Sequence, residues 1–131
     1  MSSVLAQQQH VTVQESSGVT LMARIRYPNG DYATQAATTS IVRRTYLGAT
    51  VVEANTALVV NDTIFDTLQT TALDPRWTLD ATGANFIDEV GDDVYEDGDK
   101  VYRTWYIIEP DSMARVVIPA FKVHVEDLLG E

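Results

Sequence analysis

Lys100-Val-Tyr-Arg-Thr-Trp-Tyr-Ile-Ile108, followed by Pro119-Ala-Phe-Lys-Val-His-Val-Glu-Asp127, decides the fold class. The first segment carries aromatic and β-branched residues at both parities, the composition expected of a strand buried from two sides. The second alternates Phe121, Val123 and Val125 against Lys122, His124 and Glu126, the period-two pattern of a strand with one wet face. Glu109-Pro-Asp-Ser112 separates them as a turn signal. A central strand beside a half-exposed one points to an antiparallel β-fold.

Working backwards, Val19-Thr-Leu-Met-Ala-Arg-Ile-Arg-Tyr27 is the cleanest alternation in the chain. Val19, Leu21, Ala23, Ile25 and Tyr27 fall on one face, with Thr20, Met22, Arg24 and Arg26 on the other. Pro28-Asn-Gly-Asp31 follows as a turn, because proline presets φ and Asn-Gly tolerates positive φ. Further strands are expected at His10 to Glu15, Ser40 to Leu47, Thr50 to Glu53 and Ala57 to Val60, with turns at Ser16 to Gly18 and Gly48 to Thr50. Asp62 reads as a helix N-cap with Ile64, Phe65 and Leu68 on one side, predicting a short helix near 62–69. Trp77 and Phe86 read as core plugs flanking a turn at Ala81 to Gly83. The sum is an all-β antiparallel sandwich over residues 9–131, preceded by a flexible arm over residues 1–8. Its predicted core is Leu21, Ile25, Ile41, Phe65, Leu68, Trp77, Phe86, Val101, Trp105, Ile107, Phe121, Val123 and Val125.

At 131 residues the chain suffices for one domain with a real core. No window approaches the roughly 20 apolar residues that span a bilayer, and the N-terminus lacks the basic region and apolar run of a signal peptide. Cysteine is absent, which removes disulfides and thiolate chemistry and suits synthesis in a reducing cytosol. The net charge of −10 is uneven: +1 over residues 1–60 and −11 over residues 61–131. Such a chain is repelled by phosphate backbones, so nucleic acid is disfavoured as a partner. The acidic half either stays in water or meets a basic partner.

The acidic stretch Asp88 to Asp99 is the best ligand candidate, since calcium takes six to eight oxygens. Setting Gly98 on the invariant glycine of an EF-hand puts Asp93 and Asp97 at the first and fifth positions. Tyr95 then falls on the third and Thr104 on the twelfth, where carboxylate oxygens are needed. The expectation is therefore an exposed, solvated loop with no metal. His10 and His124 have no second histidine at ligand spacing, and His124 is expected to face water. Ser112 sits in a turn without a nucleophile elbow. Trp77, Trp105, Tyr102 and Tyr106 would suit sugar stacking, but Tyr102 and Trp105 fall on opposite faces of one strand. Arg24, Arg26, Arg43 and Arg44 form the one basic cluster; Arg24 and Arg26 share a face and could meet acids of a neighbouring subunit. Ordinary surface placement explains them equally well. No catalytic, cofactor-binding or metal residue is assigned.

The succession "YPNGD", "DTIFDTLQ", "DPRWTLDATGANF", "YRTWYIIEPDS" and "FKVHVEDLL", over residues 18–128, resembles small head-, neck- or tail-associated virion proteins of tailed bacteriophages. That resemblance implies an immunoglobulin-like or related Greek-key sandwich without enzymatic activity or cofactor. It implies a decoration, neck or tail/baseplate accessory role in the virion after synthesis in the host cytoplasm. The implied partners are capsid, portal/neck or tail proteins and copies of the chain itself, with no membrane. The chain departs from the antibody pattern in lacking the cysteine pair. A carbohydrate- or protein-binding sandwich module is the alternative.

Overall fold

The computed structural model describes residues 5–8, 11–14, 18–27, 30–111 and 116–126. Nine strands and one helical turn follow in order: β1 Leu5–Gln8, β2 Val11–Gln14, β3 Val19–Arg26, β4 Thr38–Leu47, β5 Thr50–Leu58, α1 Val60–Thr63, β6 Ile64–Gln69, β7 Ala84–Val90, β8 Lys100–Pro110 and β9 Val116–Glu126. They form a four-stranded sheet, β1-β3-β7-β6, over a five-stranded sheet, β2-β9-β8-β4-β5. All pairings are antiparallel except that of β2 with β9. This is the strand order of an immunoglobulin-type sandwich in which the first strand is split between both sheets.

A second feature belongs to the same architecture. Tyr102, near the start of β8, accepts a hydrogen bond at 3.0 Å from the backbone N–H of Asp97 upstream. That is the tyrosine corner of immunoglobulin domains, which lies two residues before the second bridging cysteine. Here the position two residues on is Thr104, fully buried and hydrogen-bonded to Tyr95 and Thr45.

The sheets are held by one apolar core. Leu21, Ile25 and Tyr27, on the inward parity of β3 and just beyond its end, join Ile41, Phe86, Tyr106, Phe121 and Val123 in this core. Phe86 and Phe121 both meet the Tyr106 ring edge-on. Met22 and Ile87, of opposite parity, face away from that core and pack under Trp77, which belongs to the 70–83 connection. The predicted alternation of β3 and β9 is thus observed, including exposed Lys122, His124 and Glu126.

Several expectations are corrected. β8 is buried on one face only: Tyr102, Thr104, Tyr106 and Ile108 point inward, whereas Val101, Arg103 and Trp105 are exposed. The five-stranded sheet has no third layer over it among the described residues, so its outer face stays wet. Ile107, Phe65 and Leu68 are half-buried rather than core. Residues 50–58 make one strand, not two short ones.

The helical turn lies at Val60–Thr63, and its cap is Val59 with no side-chain bond, so Asp62 does not cap it. Ile64–Gln69 is a strand because Ile64 is drawn into the core opposite Phe86. Leu5–Gln8, expected within the arm, pairs with β3, while residues 1–4 lie outside the described residues. Gly83 turns the chain into β7 at φ 106°, and a Cβ there would sit 2.9 Å from the backbone of Gln69.

Candidate functional site

Three places in the sandwich concentrate polar chemistry, and the first crosses its interior. Arg43 sits at an inward position of β4, where strand alternation would otherwise put an apolar side chain. Its Nε and Nη2 donate to the two carboxylate oxygens of Glu53 on β5, at 2.9 and 3.0 Å. Its Nη1 donates across the core to Asp88 of β7 at 2.7 Å. Tyr106 donates to the same Asp88 oxygen at 2.5 Å. Thr45 and Thr56 each donate to Glu53 at 2.9 Å.

Burial alone would lower the pKa of Arg43, but the hydrogen bonds and charges of Glu53 and Asp88 outweigh it and hold the guanidinium above its ordinary value. Burial would likewise raise Glu53, yet the donors from Arg43, Thr45 and Thr56 keep it below the usual carboxylate range. Burial and the Asp88 charge push the Tyr106 hydroxyl well above its ordinary value. The arrangement holds Arg43 and Glu53 charged and the Tyr106 hydroxyl protonated. It joins the two sheets by charge.

The second place is a cleft of about 520 Å³ beside α1, lined by Val59, Asp62, Phe65, Asp74, Arg76 and Glu89 among others. Arg76 binds both Asp74 oxygens, at 2.9 and 2.8 Å, and reaches Glu89 at 3.5 Å and Thr20 at 3.0 Å. Those hydrogen bonds hold the Asp74 carboxyl low. Asp74 and Glu89 of this cleft are thus paired with Arg76.

The third place is the outer face of the five-stranded sheet. Trp105 is 37% exposed and packs on Tyr46 of β4, ring centroids 5.3 Å apart. Val101 is 47% exposed, and Val51 of β5 stands opposite Tyr46. Around these apolar groups lie Arg44, Arg103, Lys122 and His124, none in a salt bridge among the described residues. Arg44 donates to the side-chain oxygen Oδ1 of Asn55, at 3.2 and 3.0 Å. Arg103 and Lys122 stand directly opposite each other on β8 and β9.

The sequence candidates are dispersed. Tyr102 and Tyr106 face the core and Trp77 is buried against Met22, Ala84 and Ile87, so of these four only Trp105 offers a ring to solvent. The acidic stretch is not one exposed loop: Asp88 is buried within β7, and Val94 and Tyr95 are buried while Asp92, Asp93, Glu96, Asp97 and Asp99 are exposed. Among the described residues no three His, Asp or Glu side chains gather to hold a metal.

Arg24 binds Asp80 of its own chain at 2.8 Å rather than waiting for a neighbour, and Asp80 also accepts from Trp77 Nε1 and the backbone N–H of Gly83. Arg26 packs on the Tyr32 ring. His10 and Ser112 lie outside the described residues. Sequence reasoning missed the Arg43–Glu53–Asp88 network, for which a charged residue at an inward strand position was the available signal. It also missed the outer face, although Arg103 shares the parity of Trp105. Among the described residues no helix is long and apolar enough to cross a membrane. No protein-family model matches the chain, and no curated protein matches it.

Proposed function

We propose that this chain is a non-enzymatic structural component of a tailed-phage particle, a capsid decoration, neck or tail/baseplate accessory that works by protein–protein assembly. The observation that carries the reading is the outer face of the five-stranded sheet, where Trp105, Tyr46, Val101 and Val51 lie among cations that have no salt bridge among the described residues. An aromatic anchor with Arg beside it is the composition of an interface hot spot, since the ring gains when water is excluded, while charged groups such as Lys belong to the solvated rim. The buried polar groups support the same reading: their hydrogen bonds stiffen the sandwich and leave the outer face to meet partners. The motif order that resembles small virion proteins supplies the particle context.

One observation favours the alternative, a carbohydrate-binding module, since exposed Trp105, backed by half-buried Tyr46, offers a ring on which a sugar could stack. Uptake of the purified chain by particles assembled without it separates the two. Assembly requires that wild type co-sediments with such particles and that Trp105→Ala does not. Failure to co-sediment, with Trp105-dependent retention on polysaccharide resin, would establish the alternative.

A further inference from the structure

The outer face carries a charge arrangement that no salt bridge among the described residues resolves. Like charges directly opposite on neighbouring strands destabilise a sheet, and Arg103 faces Lys122 across β8 and β9 with His124 opposite Val101 on the same side. In a chain of net charge −10, the cations left without a salt bridge among the described residues include Arg44, Arg103 and Lys122, all on this face. The uncompensated acids have their own location. Between Gly91 and Asp99 lie five exposed carboxylates and no base.

The acidic connection cannot simply fold over its own sheet. Val94 and Tyr95 are buried, Tyr95 packs edge-on against Tyr102, and Tyr102 holds the Asp97 N–H. Asp99 is tied by its N–H to the carbonyl of Val125 at 2.7 Å. These anchors fix the connection at the end of the sandwich with its carboxylates turned to solvent.

We infer that the outer face of the five-stranded sheet docks a second copy of this chain, with Arg103, Lys122 and Arg44 receiving the partner copy's acidic 91–99 connection beside the Trp105–Tyr46 pair. The inference rests on the proposed assembly role and names one of its partners. The two halves of the contact are neighbours on each molecule: the acidic connection ends at Asp99, and Arg103 follows roughly 13 Å along β8 at about 3.3 Å per residue. A two-fold axis near the start of β8 brings each acidic connection onto the other copy's cations, so the contact is reciprocal and closes as a dimer. The overall negative charge opposes this only weakly, because salt screens charges beyond about 8 Å while adjacent pairs persist.

The test is a charge swap in the full chain, read by sedimentation equilibrium at physiological ionic strength. The side chains changed are all exposed, and unchanged circular dichroism confirms that the variants fold. Wild type is expected to be a dimer. The double variants Arg103→Glu/Lys122→Glu and Asp92→Lys/Glu96→Lys should each be monomers, the dissociation constant rising on the order of a hundredfold because every change acts twice in a two-fold contact. An equimolar mixture of the two variants should regain dimers. A monomeric wild type, variants that dimerise like wild type, or a mixture that stays monomeric would each overturn the inference. Particle uptake distinguishes this from the broader role: a monomeric wild type that still enters particles through Trp105 removes the dimer and leaves the assembly reading in place. Dimers that never enter particles do the reverse.

Discussion

Arg43 of β4 and Asp88 of β7 join the two sheets through the core, Nη1 to Oδ2 at 2.7 Å, with Glu53 completing the bridge from β5. A buried cation between two carboxylates is costly to build and costlier to leave half-made. Arg43→Met leaves two carboxylates without their counter-ion and should destabilise the fold by about 3–5 kcal/mol in urea unfolding. Replacing Arg43, Glu53 and Asp88 together by apolar residues of similar size should recover most of that loss. A single-variant effect under about 1 kcal/mol would show that water already screens the bridge.

The same network sets the pH limits of stability. Because Glu53 is held below its unfolded pKa of about 4.3, its contribution is present above that pH and is lost as pH falls through the lower folded value. Asp74, also lowered, acts with the same sign. Melting temperature should therefore drop on acidification below about pH 4, and Glu53→Gln should show a shallower drop. At the alkaline end Tyr106 and Tyr95 are raised, so their contribution is present below about pH 10 and is lost as pH climbs through the folded values. Tyr106→Phe should remove part of that alkaline loss while weakening the fold at neutral pH by about 1.5–3 kcal/mol, the worth of a hydrogen bond to a charged group.

The two tryptophans should behave oppositely. Trp77 is fully buried against Met22 and Ile87, so Trp77→Ala should cost about 3–5 kcal/mol. Trp105 packs on one side only, against Tyr46, and Trp105→Ala should cost about 0.5–1.5 kcal/mol. Denaturant titration of both variants checks the contrast. Equal large losses would place the Trp105 ring inside the core.

Much of the fold was legible because period-two alternation survives wherever one face is wet. β9 shows it, β3 keeps the same inward parity although Met22 on its other face is covered by Trp77, and Leu21, Ile25, Phe121, Val123 and Val125 are buried as their parity demands. β8 misled because its outer face carries Val101, Trp105 and Ile107, as apolar as the inner face. Without the partner strands, two apolar faces read as a doubly covered strand. Asp62 and its neighbours read as a helix start, but a four-residue helix cannot compete with the burial of Ile64 beside β7. The polar network was illegible for a different reason. Arg43 and Asp88 are 45 residues apart, and only the stacking of two sheets brings them together.

The 91–99 connection is anchored by apolar side chains and backbone bonds, so its fold does not wait on an ion. Millimolar calcium should leave the melting temperature unchanged. An ion present at 100 times its dissociation constant would add about 2.7 kcal/mol. A calcium-dependent rise abolished by Asp97→Asn would assign the connection a metal.

Quantitative mass spectrometry of purified phage particles tests the assembly role most directly. The account predicts that the chain is present in the particles at a reproducible copy number relative to the major capsid protein, and that Trp105→Ala lowers that number without unfolding the chain. Particles that are complete and infectious with no trace of the chain would contradict it.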